Sequence, residues 1–139
     1  MNELNVLIVD DERDYLDTLK KRLEKRGLGI TGVENGEDAL EWLKCNTADV
    51  VLLDVRMTGL DGIQVLREIK KQYPLMEVIM LTGHASSEIA IEGMELGAFD
   101  YLMKPVDFDE LLYKIQDAYK KRKIQEEKIR GMEKLVQGK

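Results

Sequence analysis

Charged and hydroxyl side chains follow four short apolar runs, and together they have the chemistry of a phosphoryl site. Asp10 and Asp11 follow the first run, Asp54 ends another, and Thr82 and Lys104 follow two later ones. Carboxylates that lie together repel one another, and a hard cation such as Mg²⁺ relieves that repulsion while keeping several waters. A lysine and a hydroxyl beside such a metal can bind phosphoryl oxygens, and an aspartate can accept the phosphoryl group itself.

Asp54 allows two interpretations from its position alone. It ends the run Val50–Leu53, which is short, apolar and partly β-branched, as in a strand buried on both faces. An aspartate there belongs either to a site at the carboxyl edge of a parallel sheet or to the N-cap of the next helix. Gly59 and Gly62 predict a loop before that helix, which favours the site.

Neighbouring residues refine the predicted site. Gly83 leaves space and a free backbone N–H beside Thr82. Pro105 makes the Lys104–Pro105 bond a candidate for the cis isomer, which is one way to aim Lys104 at the site. The sequence has no cluster of histidines and cysteines, so Mg²⁺ is favoured over zinc, with Mn²⁺ as an alternative to Mg²⁺.

The elements that must position these side chains alternate along the chain. Five strand patterns and five helical patterns follow one another, which predicts an α/β fold with a parallel sheet and helices on both faces. The expected strands cover 4–9, 29–33, 50–54, 77–81 and 99–103, and the expected helices cover 12–26, 37–44, 62–72, 86–95 and a last one from Asp107.

The composition predicts a single domain in a reducing compartment. The chain has 139 residues, and no apolar run approaches the roughly 20 residues of a membrane span. The polar start has no signal-peptide pattern, and a single cysteine, Cys45, excludes an intramolecular disulfide. We therefore expect a cytoplasmic protein that does not contact a membrane, with Cys45 a helix thiol rather than a nucleophile.

Charge is distributed unevenly between the body and the end of the chain. Residues 1–119 contain 13 basic and 24 acidic residues, whereas residues 120–139 contain eight basic and three acidic ones. The acidic body repels nucleic acid and suits a metal-binding edge. The basic residues of the end alternate with acidic ones, so we expect a solvated helix surface and no direct binding of nucleic acid.

The last helical pattern has no stop signal before the chain ends. Its apolar positions continue in steps of three and four, as in a coiled coil, and Arg122 and Gln125 interrupt them. Gly131 weakens the helix by about 1 kcal/mol relative to alanine. Two alternatives stay open for residues 120–139, beside a domain of residues 1–119. They form either a frayed tail or a helix that dimerises or transmits a signal.

Several short motifs occur in order at the predicted strand ends. They are Asp10-Asp11, Asp54 with Met57 and Asp61-Gly62, Thr82-Gly83, Tyr101, and Lys104-Pro105. Over residues 4–118 this set resembles the receiver domains of two-component response regulators. The resemblance implies a flavodoxin-like fold with strand order 2-1-3-4-5.

The resemblance also assigns roles to the predicted site residues. It implies that Asp54 is the phosphoacceptor and that Mg²⁺ is bound by Asp11, Asp54 and the backbone carbonyl of Arg56. Asp10 is implied to act on the metal through water, and Lys104 to hold the phosphoryl group.

Two further residues are implied to form the switch. Thr82 would move toward the phosphoryl group, and Tyr101 would turn inward into the space that Thr82 leaves. Because both Thr82 and Lys104 follow strands at a sheet edge, we expect both to face solvent.

Some positions depart from the family pattern or vary within it. Thr58 stands where the family usually has proline, which loosens that loop. Arg56 and His84 occupy positions at which family members tune the lifetime of the phosphoryl group. His84 is alternatively a surface histidine or a phosphodonor. The run from Thr82 to Ala85 resembles receivers attached to bacterial enhancer-binding transcription activators.

The resemblance implies a signalling switch rather than an enzyme, although such a domain catalyses its own phosphorylation and dephosphorylation. A sensor histidine kinase or a phosphotransfer protein would supply the phosphoryl group from phosphohistidine. Phosphorylation would alter the surface of helix four, strand five and helix five. That surface or the extension of helix five would pair two chains in a homodimer.

Two alternative functions remain. The first is an aspartate-dependent phosphohydrolase, which needs a second carboxylate just after its nucleophile, where this chain has Arg56. The second is an interaction module with a vestigial site, which would neither bind Mg²⁺ nor accept phosphate.

Overall fold

Strands and helices alternate along the chain in the computed structural model, which describes residues 4–55, 61–83 and 87–137. The strands are β1 (Asn5–Val9), β2 (Gly29–Val33), β3 (Val50–Asp54), β4 (Glu77–Thr82) and β5 (Asp100–Met103). The helices are α1 (Arg13–Glu24), α2 (Gly36–Cys45), α3 (Gly62–Gln72), α4 (Ser87–Glu95) and α5 (Phe108–Gln137). The predicted elements are all present, with bounds that differ by at most two residues. The predictions for Arg56, Met57, Thr58 and His84 lie outside the described residues.

All five strands pair in parallel, in the order β2-β1-β3-β4-β5. This confirms the predicted flavodoxin-like topology. The carboxyl ends of the strands meet at one edge, which carries Asp10, Asp54, Thr82 and Lys104 and is named the top edge here. The bottom edge is the opposite one, where Asp49 and Glu77 stand at the starts of β3 and β4.

The core has two layers, one on each face of the sheet. Successive side chains of a strand point to opposite faces, so that Val6 and Ile8 pack with α1 and α5, whereas Leu7 and Val9 pack with α2 and α3. Strands β1, β3 and β4 are buried almost throughout. Burial on both faces explains why these strands are continuous apolar runs rather than alternating patterns.

A capping box starts α3 and removes one interpretation of Asp54. The Asp61 side chain accepts a hydrogen bond from the backbone N–H of Ile63 at 2.8 Å, and the Gln64 side chain accepts one from the N–H of Asp61 at 3.2 Å. Asp61 therefore caps α3. Asp54 lies within β3 and is not the N-cap of α3.

Helix α5 extends 30 residues and leaves the body only in its second half. Its inner face is buried through Ala118, and Arg122 still contacts the bottom edge through Ala48. Beyond Glu126 every described residue is exposed, including Met132 and Leu135. The helix thus touches the body for one turn past the predicted boundary at residue 119, and that boundary stays a prediction. No described helix combines the length and apolarity needed to cross a membrane.

Candidate functional site

Strand register places two aspartates side by side at the top edge. Val9 of β1 is paired with Leu53 of β3, so the next residues, Asp10 and Asp54, end adjacent strands at the same level. Both are buried, and Asp10 is only 1% exposed. Two carboxylates removed from water on neighbouring strands repel each other strongly unless cations compensate them.

Lys104, which follows the edge strand β5, provides that positive charge. It follows β5, two strands away from β3, and its Nζ lies 2.6 Å from Asp10 Oδ2 and 3.4 Å from Asp54 Oδ2. A third carboxylate, that of Glu12, lies 3.0 Å from the same nitrogen through Oε1. The top edge is therefore a cluster of three acids around one ammonium group.

The surroundings of Lys104 favour its charged form. Burial is the largest single influence and by itself lowers the pKa of Lys104. The hydrogen bonds to Asp10 and Glu12, together with the charges of Asp10 and Asp54, outweigh it and raise that pKa above the ordinary lysine value. Lys104 is thus a permanent cation at neutral pH, able to bind an anionic group.

Glu12 is a site residue that the sequence analysis missed. The oxygens of Asp10, Glu12 and Asp54 lie within 4.8 Å of one another and could hold a metal ion. Asp11 is outside this group, and its role as a metal ligand stays a prediction. A set of carboxylate oxygens without sulfur or imidazole is the donor chemistry of Mg²⁺ or Mn²⁺.

Thr82 and Lys104 are less exposed than the sequence analysis expected. Thr82 is 5% exposed and the Lys104 side chain 11%. The prediction that both face solvent is therefore wrong. Lys104 is buried because its side chain turns inward to the acids, and its backbone N–H donates to the Thr82 carbonyl at 2.7 Å, which joins the ends of β4 and β5.

The other predicted site residues lie around this cluster. Tyr101 is on β5 with 37% of its surface exposed, so its ring points outward. Gly83 is exposed, and apart from its chain neighbours no atom of the described residues lies within 4 Å of where a side chain would begin. The Lys104–Pro105 bond is cis in the structure, the isomer for which the sequence made it a candidate.

Close backbone packing fixes the segment after Asp54. A Cβ atom on Gly62 would collide with Cα of Val55 and would lie 3.0 Å from the carbonyl oxygen of Asp54. Only glycine permits this approach of the start of α3 to the end of β3. The N–H of Val55 also donates to the Leu81 carbonyl at 3.1 Å, which ties this segment to β4.

Tyr15 of α1 is a second neighbour that the sequence analysis missed. Lys104 Nζ lies 4.4 Å from the centre of the Tyr15 ring, a distance typical of a cation–π contact. Burial, as the largest influence, raises the pKa of the Tyr15 hydroxyl above its ordinary value. The Lys104 charge opposes this increase, and the acids of the site add to it. Tyr15 therefore remains neutral beside Lys104.

Known proteins match the chain over the region that builds this cluster. The family model of the response regulator receiver domain matches residues 6–116. The DNA-binding transcriptional regulator NtrC of Escherichia coli (strain K12) is 41% identical over 113 residues, which are 81% of this chain and 24% of NtrC. The chain therefore spans about a quarter of the length of the curated relatives it matches.

Solved structures of similar proteins share the fold. A CheY-like response regulator receiver domain protein from Methanospirillum hungatei JF-1 superposes with a TM-score of 0.86 and 30% identity, over 89% of this chain and 99% of that one. NtrX from Brucella abortus superposes with a TM-score of 0.85 and 32% identity, over 91% of this chain and 29% of NtrX. With its strand order, its acidic top edge and these matches, the chain belongs to the response regulator receiver domain family.

Proposed function

We propose that this chain is a phospho-accepting signalling switch and that Asp54 is its acceptor. The observation that carries the proposal is the Asp54 carboxylate itself, buried at the end of the central strand beside Asp10 and 3.4 Å from the Lys104 ammonium. A buried carboxylate beside a fixed cation is held ready for a group that brings negative charge. The fold alone does not require a buried carboxylate at this position, whereas phosphoryl transfer does.

The proposed donor is a phosphohistidine of a sensor histidine kinase or of a phosphotransfer protein. An Asp54 oxygen forms a bond to phosphorus while the phosphorus–nitrogen bond breaks. With its second ring nitrogen protonated, the histidine leaves as neutral imidazole, and the electron pair stays on the nitrogen that carried phosphorus. The product is an acyl phosphate on Asp54, whose oxygens accept hydrogen bonds from Lys104 and Thr82.

The acids of the top edge fit a divalent cation. Asp54 with Asp11, the carbonyl of Arg56 and, through water, Asp10 are the ligands that family resemblance proposes, and Glu12 is the addition from the geometry. A bound Mg²⁺ would supply positive charge to the phosphoryl oxygens at this site. Receiver domains bind Mg²⁺ at an acidic pocket of this kind, which supports the assignment.

The proposed output surface is formed by α4, β5 and α5. Movement of Thr82 toward the phosphoryl group and inward rotation of Tyr101 would shift the population between two packings of this surface. Apolar side chains are already exposed there, which suits a surface that binds partners. They are Ile91, Met94, Tyr101, Met103 and Tyr113.

The wider role is proposed from relatives and from α5. Relatives such as NtrC are DNA-binding transcriptional regulators, so we propose that this receiver controls transcription in the cytoplasm through attached or separate output. Residues 127–137 of α5 expose apolar side chains, including Ile129 and Val136, that a second copy of the helix could cover. Residues 120–139 would then act as a dimerising extension of the receiver.

Intact-mass measurement tests the acceptor. With acetyl phosphate and Mg²⁺ the chain should gain one phosphate, EDTA should prevent the gain, and Asp54→Asn should remove it. Asp17→Asn, at an exposed position on α1, is the matched control and should behave like the unmodified sequence. Full modification of Asp54→Asn would place the acceptor elsewhere. Turnover of small phosphate esters would favour a phosphohydrolase instead, and absence of any modification would favour a vestigial site.

Thermal unfolding tests the metal ligands. A metal that binds only the folded state at ten times its dissociation constant adds about 1.4 kcal/mol of stability. Asp11→Ala should abolish that gain if Asp11 is a ligand, and Glu12→Gln should reduce it if Glu12 contributes. If Mg²⁺ stabilises both variants as much as the unmodified sequence, the cation binds outside these acids.

A further inference from the structure

All three donors of Lys104 are in use in the unphosphorylated site. A lysine ammonium group has three N–H bonds, and three carboxylates surround it, those of Asp10 at 2.6 Å, Glu12 at 3.0 Å and Asp54 at 3.4 Å. A phosphoryl group on Asp54 needs a hydrogen bond from the same nitrogen. One of the existing contacts must therefore weaken when that group arrives.

Of the two carboxylates that phosphorylation leaves unmodified, Asp10 and Glu12, the one that Lys104 can release more easily is Glu12. Its side chain is 64% exposed, whereas those of Asp10 and Asp54 are 1% and 5% exposed. Water can hydrate a released Glu12 carboxylate, but a released Asp10 carboxylate would stay buried and lose its 2.6 Å ion pair. The Tyr15 ring lies 4.4 Å from Lys104 Nζ and limits other directions of movement.

The start of α1 explains why Glu12 reaches Lys104. Glu12 occupies the N-cap position, yet its side chain makes no capping hydrogen bond in the described part of the chain. Its backbone N–H donates instead to Asp10 Oδ1 at 2.9 Å, which fixes the residue beside the acids. With its backbone held and its carboxylate unused by the helix, the side chain can extend over the site to Lys104.

We propose that Glu12 competes with the phosphoryl group for Lys104. This inference rests on the proposed function, because it assumes that Asp54 receives the group. In the resting state Glu12 occupies a donor of Lys104, and release of Glu12 frees that donor for a phosphoryl oxygen. Glu12 thus acts as a positioning residue that makes phosphorylation harder to start and the modified state less stable.

The probe is beryllofluoride, which binds a carboxylate oxygen with the shape and charge of a phosphoryl group. Its affinity is measured at a Mg²⁺ concentration that saturates each variant, so that a change in metal affinity does not enter. Glu12→Gln removes the competitor for Lys104 and should bind beryllofluoride about two- to fivefold more tightly, the range of an exposed ion pair. An equal or weaker affinity overturns the proposal.

Two control variants separate contact from overall charge. Glu34→Gln removes the same charge from the end of β2, where Glu34 pairs with Arg13 at 3.4 Å, and should leave the affinity unchanged. Glu12→Asp keeps the charge but shortens the side chain by one methylene group, so it should resemble Glu12→Gln. If Glu34→Gln also tightens binding, or if Glu12→Asp resembles the unmodified sequence, the effect is long-range charge and the competition is refuted.

The test also separates this inference from the proposed function. If the unmodified sequence does not bind beryllofluoride and Asp54 gains no phosphate from acetyl phosphate, the proposed function fails. If the unmodified sequence binds and Glu12→Gln binds no more tightly, only the competition fails. The rate of modification by acetyl phosphate in saturating Mg²⁺ should rise by a similar factor in Glu12→Gln.

Discussion

The two edges of the sheet differ in how many cations accompany their acids. At the top edge three carboxylates share one ammonium group, that of Lys104. At the bottom edge Glu77 pairs with Lys121 at 3.5 Å, and Asp49 lies 3.9 Å from Arg122. Among the described residues, the bottom edge thus has a cation for each acid, which is what stability alone requires. Over the same part of the chain the top edge has more acids than cations, and this excess is a property of the site rather than of the fold.

The two lysines at these edges show the same difference. Three acids surround Lys104, and their influence raises its pKa despite burial. Lys70 donates to the carbonyls of Pro74 and Met76 at 2.9 and 3.0 Å. Burial is the main influence on its pKa and lowers it, the charge of Glu77 opposes that decrease, and Lys121 and Arg122 reinforce it. The surroundings of Lys104 thus favour its protonated form, whereas those of Lys70 disfavour it.

The largest expected effect is at the top edge. Lys104→Ala leaves Asp10 and Asp54 buried without their cation, and we expect a loss of about 3–5 kcal/mol in the free energy of unfolding when divalent ions are absent. Mg²⁺ should restore part of that loss, because the acids would again have a counter-charge. Urea denaturation with EDTA and with Mg²⁺ measures both quantities.

The control for this prediction is Lys114→Ala. Lys114 pairs with Asp100 at 2.6 Å, but these side chains are 31% and 28% exposed, so water can hydrate Asp100 and removal of Lys114 should change stability less than removal of Lys104 in either condition. A loss in Lys104→Ala that Mg²⁺ leaves untouched would mean that the top edge resembles the bottom edge and is simply a structural ion pair.

A smaller effect is expected at the bottom edge. Arg122 donates from Nη1 to the Ala48 carbonyl at 2.7 Å, and Arg122→Ala removes that charged hydrogen bond. We expect a loss of about 1.5–3 kcal/mol, and Mg²⁺ should not restore it, because Lys121 still neutralises Glu77 and the described residues of this edge form no cluster of carboxylates that could hold a metal ion. Lys128→Ala, on the exposed part of α5, is the control and should lie within about 0.5 kcal/mol of the unmodified chain.

Shortened chains locate the boundary between body and extension. A chain that ends at Glu126 keeps the Arg122 contact and should lose less than about 0.5 kcal/mol of monomer stability. A chain that ends at Tyr119 loses that contact and the Lys121–Glu77 ion pair, so it should be destabilised at least as much as Arg122→Ala. Denaturation at low protein concentration compares the monomers, and sedimentation of the same chains tests the proposed dimer. Equal stability of both chains would support the boundary at residue 119.

The smallest effect is the pH dependence of the two lysines. Because the pKa of Lys70 is lowered, the folded chain releases that proton first as pH rises toward the ordinary lysine value, and stability relative to Lys70→Met should increase. The pKa of Lys104 is raised, so its contribution is complete below the ordinary lysine value and is lost as pH rises through the raised one. From pH 8 to pH 10 the stability difference from Lys70→Met should therefore increase with pH, whereas the difference from Lys104→Ala should stay constant. An equal increase for both variants would contradict the difference between the edges.

The sequence predicts the fold and the central acids because strand ends define both. Apolar runs of about five residues mark β1 and β3, and parallel pairing then requires Asp10 and Asp54 to be neighbours. Glu12 could not be found in this way, because it looks like the first residue of α1. Its importance comes from Lys104, 92 positions later, and its side chain caps α1 with no hydrogen bond to the described residues.

Two other differences between the sequence-based predictions and the structure have similar causes. The exposure of Thr82 and Lys104 was overestimated because a strand end identifies an edge but not how far a side chain turns inward from it. Arg122 looked like a polar interruption in an apolar frame. The structure gives it a carbonyl partner, that of Ala48, which lies 74 positions earlier in the chain. Long-range partners of charged residues are the part of this molecule that local patterns do not encode.

Because α5 is one continuous helix, a small tilt where it is held against the sheet displaces its far end. The helix is held against the sheet as far as Arg122 and is exposed from residue 127 to Gln137. These last residues rise about 16 Å along the axis, so a tilt of about 10° at the anchored turn moves the tip by about 3 Å. A repacking of α5 that is too small to change the sheet could therefore shift the two helix ends of the proposed dimer relative to each other. They would then pair in register or be offset by half a helical turn.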